Sequence, residues 1–94
     1  MLTLEISSEA ENDLLQIWLY IAADQPTNAD RYLDKLHAAV AKLAEFPAMG
    51  RERPELAEGV RSFPIDRYSL YYTIVGSKLI LVRVLPADMD ISVI

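Results

Sequence analysis

The stretch from Phe46 to Tyr72, FPAMGRERPELAEGVRSFPIDRYSLYY, constrains the fold most, because a helix end, an arginine-rich connection and a strand pair follow one another in it without a break. Phe46-Pro47 reads as a helix stop: proline disfavours helical conformation in the residue before it and lacks the N–H that would continue the ladder. The preceding helix is therefore expected to end near Glu45. Gly50, Pro54 and Gly59 punctuate an irregular connection. Alternation resumes at Val60, with Arg61, Phe63 and Ile65 on one side of a strand and Ser62 and Pro64 on the other.

Upstream of this stretch, Thr3 to Ile6 fits a short strand with Leu2, Leu4 and Ile6 on one face. Ser8 followed by Glu11 matches a capping box, so a helix should begin there. Its stripe of Ala10, Leu14, Ile17, Trp18 and Ile21 has helical spacing, Trp18 is expected in the core, and the helix should stop near Asp24. Pro26 suits the first turn of a second helix, with Thr27 and Asp30 as a weaker cap, and the stripe Ala29, Leu33, Leu36, Val40, Leu43 and Ala44 continues it. The short connection predicts an antiparallel helix hairpin. Downstream, Tyr68 to Val75 and Lys78 to Leu85 follow the Val60 strand through tight turns at Asp66-Arg67 and Gly76-Ser77. KLILVRVL is apolar on both faces except for Arg83, which predicts a central strand covered on both sides. The expected architecture is α+β: a short N-terminal strand, a helix hairpin, then a three-stranded antiparallel meander on which the helices pack.

At 94 residues the chain is expected to form one domain spanning 1–94. It has no cysteine, hence no disulfide framework and no thiolate or zinc-thiolate chemistry, which fits a reducing compartment. The N-terminal MLTLEISSEAE lacks the pattern of a signal peptide, and the apolar runs Leu14 to Ala23 and Leu79 to Ala87 fall short of the roughly 20 residues needed to cross a bilayer. A soluble, cytoplasmic protein is expected, with no membrane partner. Residues 1–50 carry eight acids against Arg31, Lys35 and Lys42, whereas residues 51–94 carry six acids against six bases, so the net charge of −5 lies in the first half. Such a balance argues against nonspecific binding to duplex nucleic acid, which needs a basic face, and favours a protein partner.

The segments AENDLLQIWLYIAADQPTNADRYLDKL, LAEFPAMGRERPEL, GVRSFPIDRYSLYYTI and LVRVL, in this order, resemble the ParE branch of the ParE/RelE toxin superfamily of bacterial toxin-antitoxin systems. The most specific parts are P-x-x-G-R-x-R-P-E-L at 47–56, G-V-R-S-F-P at 59–64 and V-R-V-L at 82–85. The resemblance implies a small toxin held inactive by a ParD-like antitoxin encoded beside it. It further implies that the free toxin traps DNA gyrase on cleaved DNA by binding, with no enzymatic activity, no cofactor and no metal. The RelE branch instead cuts mRNA on the ribosome, and fold alone does not separate the two.

RNA cleavage would need a base for the 2'-hydroxyl, an acid for the leaving oxygen and cations for the phosphorane. Tyr71 or Tyr72, Arg61 and Arg83 are candidates by type, with Arg51 and Arg53 as phosphate holders. A general base is missing, because His37, the one histidine, lies mid-helix beside the apolar stripe. Relatives commonly end in a His-Gly-x-Arg-Asp type of sequence. This chain has Pro86-Ala87-Asp88-Met89-Asp90, in which Asp90 alone corresponds. That departure weighs further against ribonuclease chemistry and leaves a non-toxic, antitoxin-binding relative as a third reading.

Arg51, Arg53, Arg61 and Arg83 are the target-binding candidates. The alternative for Arg61 and Arg83 is a salt bridge to a neighbour such as Glu58 or Asp66, and for Arg51 and Arg53 neutralisation by Glu52 and Glu55. The strand tyrosines fit packing by propensity alone. On the first helix, Leu15, Leu19, Tyr20 and Ala22 form a second apolar face that a domain this small has few layers to bury. An amphipathic antitoxin helix laid against them would supply the cover, with an added strand at a free sheet edge as a second contact.

Overall fold

The computed structural model describes residues 1–89, and Asp90 lies outside the described residues. The elements are β1 (Thr3–Ile6), α1 (Ser8–Ala22), α2 (Pro26–Glu45), a 3-10 turn (Pro47–Met49), β2 (Arg51–Glu52), β3 (Val60–Ile65), β4 (Tyr68–Val75) and β5 (Lys78–Pro86). The strands form one sheet in the order β1-β5-β4-β3-β2. The helix hairpin and the β3-β4-β5 meander fall where the apolar periodicities and turn residues place them.

Two features of the sheet differ from expectation. β1 runs parallel to β5, with Thr3 opposite Lys78 and Ile6 opposite Leu81, so the sheet is mixed. A two-residue strand, β2, also pairs with β3, Arg51 opposite Ser62 and Glu52 opposite Arg61, inside what reads as an irregular connection. Neither shows in alternation, which reports the face a residue occupies and not the strand beside it.

Ser7, and not Ser8, caps α1. Its backbone is extended (φ −67°, ψ 160°) and its Oγ accepts from the Ala10 amide at 3.0 Å. The Ser7 amide still donates to Leu81 O at 3.0 Å, so the chain stays in strand register through Ser7 and can turn helical only at Ser8. The capping box with Glu11 is therefore not used. At α2, Pro26 takes the first turn as expected, but no side chain caps it. Asp30 instead accepts from the Trp18 indole N–H at 2.9 Å, which fixes the two helices to each other and leaves Trp18 half-buried, outside the core.

The core lies between the helices and one sheet face. Ala10, Leu14 and Ile17 of α1, Leu36, Val40 and Leu43 of α2, and Leu70, Tyr72, Leu79, Leu81 and Val84 of the sheet are its main buried members. Each large aliphatic side chain buried there contributes about 2–3 kcal/mol of transfer free energy. A bulge makes this arrangement possible: Tyr71 pairs with Arg83 but Tyr72 with Leu81, so Val82 is the extra residue. The parity of β5 flips across it, and Leu79, Leu81 and Val84 all face the helices. On the opposite face Val60, Tyr71 and Leu85 form a small second cluster under Leu56 and Ala57. β5 has a strand on both sides only along Lys78–Leu81 and is an edge beyond it. Its second face is covered only near Leu85, with Ile80 and Val82 partly exposed, so the expected central strand covered on both faces is realised only in part.

Candidate functional site

The arginine-rich connection is organised around a buried phenol. Tyr72 is fully buried. Its hydroxyl donates to Pro47 O at 2.6 Å and accepts from the Gly50 amide at 2.9 Å. Burial raises the pKa of the phenol, so it stays neutral. Arg61, directly across from Tyr72 on β3, donates from Nη1 to Gly50 O at 2.7 Å and pairs with Glu52 at 3.5 Å. Both backbone polar groups of Gly50 are therefore held by side chains from the sheet. Gly50 has ordinary extended angles (φ −76°, ψ 150°), so its need for glycine is spatial. A Cβ there would collide with the Tyr72 hydroxyl and lie 2.6 Å from ring Cε1.

The remaining arginines are in contrasting states. Arg53 donates to Glu55 at 2.7 Å and to Ser62 Oγ at 3.1 Å, and the Glu55 hydrogen bond raises its pKa while lowering that of the carboxylate. Arg83 makes a two-point ion pair with Asp13 of α1, Nε to Oδ2 at 2.7 Å and Nη2 to Oδ1 at 3.0 Å, which raises its pKa. Arg51 is exposed on β2 and makes no hydrogen bond or ion pair with the described residues. The partners of Arg61 and Arg83 are thus Glu52 and Asp13, in place of Glu58 or Asp66.

Tyr72, Arg61 and Arg83 do not gather into an open acid-base site. Arg61 and Arg83 stand on strands separated by β4, about 10 Å at ordinary strand spacing, and each is held by a different partner. Tyr71 is also buried, at 4% exposure, and His37 is exposed on α2. Among the described residues no cluster of three His, Cys, Asp or Glu side chains is placed to hold a metal, and no helix is long and apolar enough to cross a membrane.

α1 presents its second apolar face, but in two parts. Leu15 and Leu19 are 52% and 48% exposed, one helical turn apart, with Ala22 partly exposed along the same side. Tyr20, 80% exposed, sits about 100° around the helix from Leu19. It lines an open groove of about 760 Å³ with Tyr68, Arg67, Arg83, Pro86 and Met89. Arg67 and Asp13 are parts of this region that sequence reasoning passes over. Arg67 reads only as a turn residue, and Asp13 as one more acid on a helix.

A family model described as "ParE toxin of type II toxin-antitoxin system, parDE" matches residues 4–91. The chain belongs to the ParE toxin family. Among curated relatives, Toxin ParE3 of Caulobacter vibrioides is 27% identical over 64 residues, 68% of this chain and 64% of the relative. Toxin ParE1 of Mycobacterium tuberculosis is 34% identical over 65 residues, 68% of this chain and 66% of the relative. The match thus spans slightly less than two thirds of either relative. A solved structure titled "Chromosomal ParDE TA system from P. aeruginosa" shares the fold, with a TM-score of 0.79 and 22% identity over 94% of this chain and 98% of that one.

In this ParE-family chain the P-x-x-G-R segment has a plain physical basis. Pro47 supplies the carbonyl that Tyr72 binds, Gly50 supplies the space the phenol needs, and the arginine that follows is turned to solvent. The V-R-V-L segment does something different. Ser7 Oγ donates to Val82 O at 2.8 Å and Asp13 Oδ2 accepts from the Val84 amide at 2.9 Å, so α1 closes the edge of β5 where β1 ends. These two bonds occupy backbone groups that an added strand would use at that stretch, and the outer edges left in the described sheet include those of β1, of β2 and of β3 beyond Ser62, where β2 ends.

Proposed function

We propose that this chain is the toxin of a ParDE-type pair, that it acts in the cytoplasm by binding and blocking DNA gyrase without chemistry of its own, and that a ParD-like antitoxin keeps it inactive. Family membership supports the toxin reading. The observation that most favours binding over catalysis is the state of Tyr72, whose hydroxyl is buried and engaged as donor and acceptor by the backbone. A general acid or base must exchange its proton with substrate, and this one has no access to it.

The antitoxin reading draws support from Leu15 and Leu19, whose half-exposed side chains at helical spacing suit the apolar face of an amphipathic helix. The net charge of −5 disfavours direct binding to nucleic acid and is consistent with protein partners on both sides of the toxin's cycle. The deciding experiment is a gyrase supercoiling assay with the purified chain free of antitoxin, followed by detergent and protease treatment. Inhibited supercoiling together with linear DNA is the expected result. Folded protein with no effect on gyrase would remove this reading, and ribosome-dependent mRNA cleavage would then be the reaction to measure.

A further inference from the structure

We propose that the outer side of the Phe46–Arg51 segment, namely Phe46, Met49 and Arg51, is the surface with which this toxin meets its protein target, and that Tyr72 and Arg61 are positioning residues that hold it in shape. The inference rests on the toxin reading above and narrows its contact from four arginines to one. Phe46 and Met49 are 51% and 40% exposed, and Arg51 follows them with no hydrogen-bond or ion-pair partner among the described residues. Aromatic, methionine and arginine side chains are the types enriched where interfaces concentrate their binding energy.

The segment is short and irregular, yet its backbone is determined from within. Met49 N donates to Phe46 O at 3.1 Å, Tyr72 binds Pro47 O and Gly50 N, and Arg61 binds Gly50 O. A surface loop ordered before binding loses little conformational entropy on docking, which favours affinity. The charges around it select the partner class. Glu52 and Glu55 neutralise Arg61 and Arg53, and the exposed Glu45 offsets Arg51, so the segment carries no excess of positive charge for a phosphate backbone. Arg51 alone of these arginines is left without a close ion pair among the described residues and offers one cation to a single carboxylate. The matching surface is a protein patch that offers an acidic side chain next to an apolar recess.

The test compares the wild-type chain with Arg51→Ala, Met49→Ala, their combination and Tyr72→Phe. The readouts are growth arrest on expression at equal protein level, half-inhibition of gyrase supercoiling, and affinity for the antitoxin encoded beside it. The double surface variant should lose about tenfold or more in potency with antitoxin affinity unchanged. Tyr72→Phe should lose potency while still carrying all three surface side chains, again with antitoxin affinity kept, a split that general destabilisation would not produce. The exposed variants keep the test open should Tyr72→Phe fail to fold. Unchanged potency of the double variant would overturn the proposal, as would a parallel loss of antitoxin affinity, which would place the segment in the antitoxin interface. If the wild type arrests growth but leaves gyrase untouched, the gyrase reading fails alone and the growth-arrest comparison decides the surface. A wild type that does neither overturns both.

Discussion

Asp13 and Arg83 meet across 70 positions of sequence in a two-point ion pair, and the same Asp13 carboxylate also accepts the Val84 amide. The carboxylate therefore serves two donors, whereas the guanidinium serves one acceptor. The side chain of Asp13 is 10% exposed and that of Arg83 32%, so the acid is also the more deeply placed partner. Asp13→Ala is expected to cost about 2–3 kcal/mol, because it leaves a partly buried cation and a backbone N–H unpaired. Arg83→Ala strands the deeper carboxylate with the Val84 amide alone to satisfy it and should cost a comparable amount. Urea midpoints of the two variants measure this directly, and an Asp13→Ala midpoint close to that of the wild type would show that the edge of β5 does not depend on Asp13.

Gly50 and Tyr72 are expected to be energetically coupled. Tyr72→Phe strands the Gly50 amide and the Pro47 carbonyl and should cost about 2 kcal/mol. Gly50→Ala should cost about as much by overpacking alone, since its backbone angles suit alanine. Combining Gly50→Ala with Tyr72→Leu, which removes the phenol, should cost less than the sum of the single changes. Strict additivity in denaturant titrations would mean that the two residues do not share the space inferred here.

Leu15→Glu and Leu19→Glu alter exposed side chains and should leave stability within about 0.5 kcal/mol of wild type. Circular dichroism should be unchanged, and antitoxin binding measured by calorimetry should be lost. Tyr20→Ala separates the two sides of α1: a partner confined to the Leu15–Leu19 side would tolerate it. Retained affinity in both glutamate variants would remove that side as the antitoxin contact.

Stability should decline at high pH through Tyr32. Burial, reinforced by the nearby Asp66 carboxylate, pushes its pKa from 10 up to about 12. A group whose folded pKa is raised stabilises the fold fully below its unfolded pKa and loses that contribution as pH rises through the folded value, here between about pH 10 and 12. Asp66 behaves in the opposite sense. Its carboxyl is held below the usual range by hydrogen bonding to Lys35, so its contribution is present above the ordinary carboxylate range and is lost as pH falls through the lowered pKa. Urea midpoints near pH 9 and near pH 11.5 should differ less in Tyr32→Phe than in wild type, and an identical pH dependence would count against the assignment.

Much of the fold was legible in local chemistry. Phe46-Pro47 ends α2 at Glu45, the turns at Asp66-Arg67 and Gly76-Ser77 separate the meander strands, and Leu14, Ile17, Leu36, Val40 and Leu43 are buried as their helical spacing requires. The site was less legible. Arg53, Arg61 and Arg83 look alike in sequence but hold Glu55, Gly50 O and Asp13 respectively, and Arg51 alone among the four has no such partner. The face of α1 that carries Leu15 and Leu19 was visible from helical spacing, as was the angle that sets Tyr20 apart from it, whereas the groove that Tyr20 lines with β5 was not.

By itself, then, the sequence determined those features whose causes act within a few residues: the proline stop, the turns, the apolar periods and the charge that disfavours nucleic acid. Tertiary structure alone decided which strand β1 joins, which of two adjacent serines caps α1, where β5 bulges and which of the four candidate arginines makes no ion pair with the described residues. Each of these is a competition among groups far apart in the chain. Ser7 is held to Leu81 before the helix can begin, and Gly50 is held by Tyr72 and Arg61 from β4 and β3. Period and propensity name the face a residue will occupy, but the partner it meets there depends on register, which exists only once the sheet has closed.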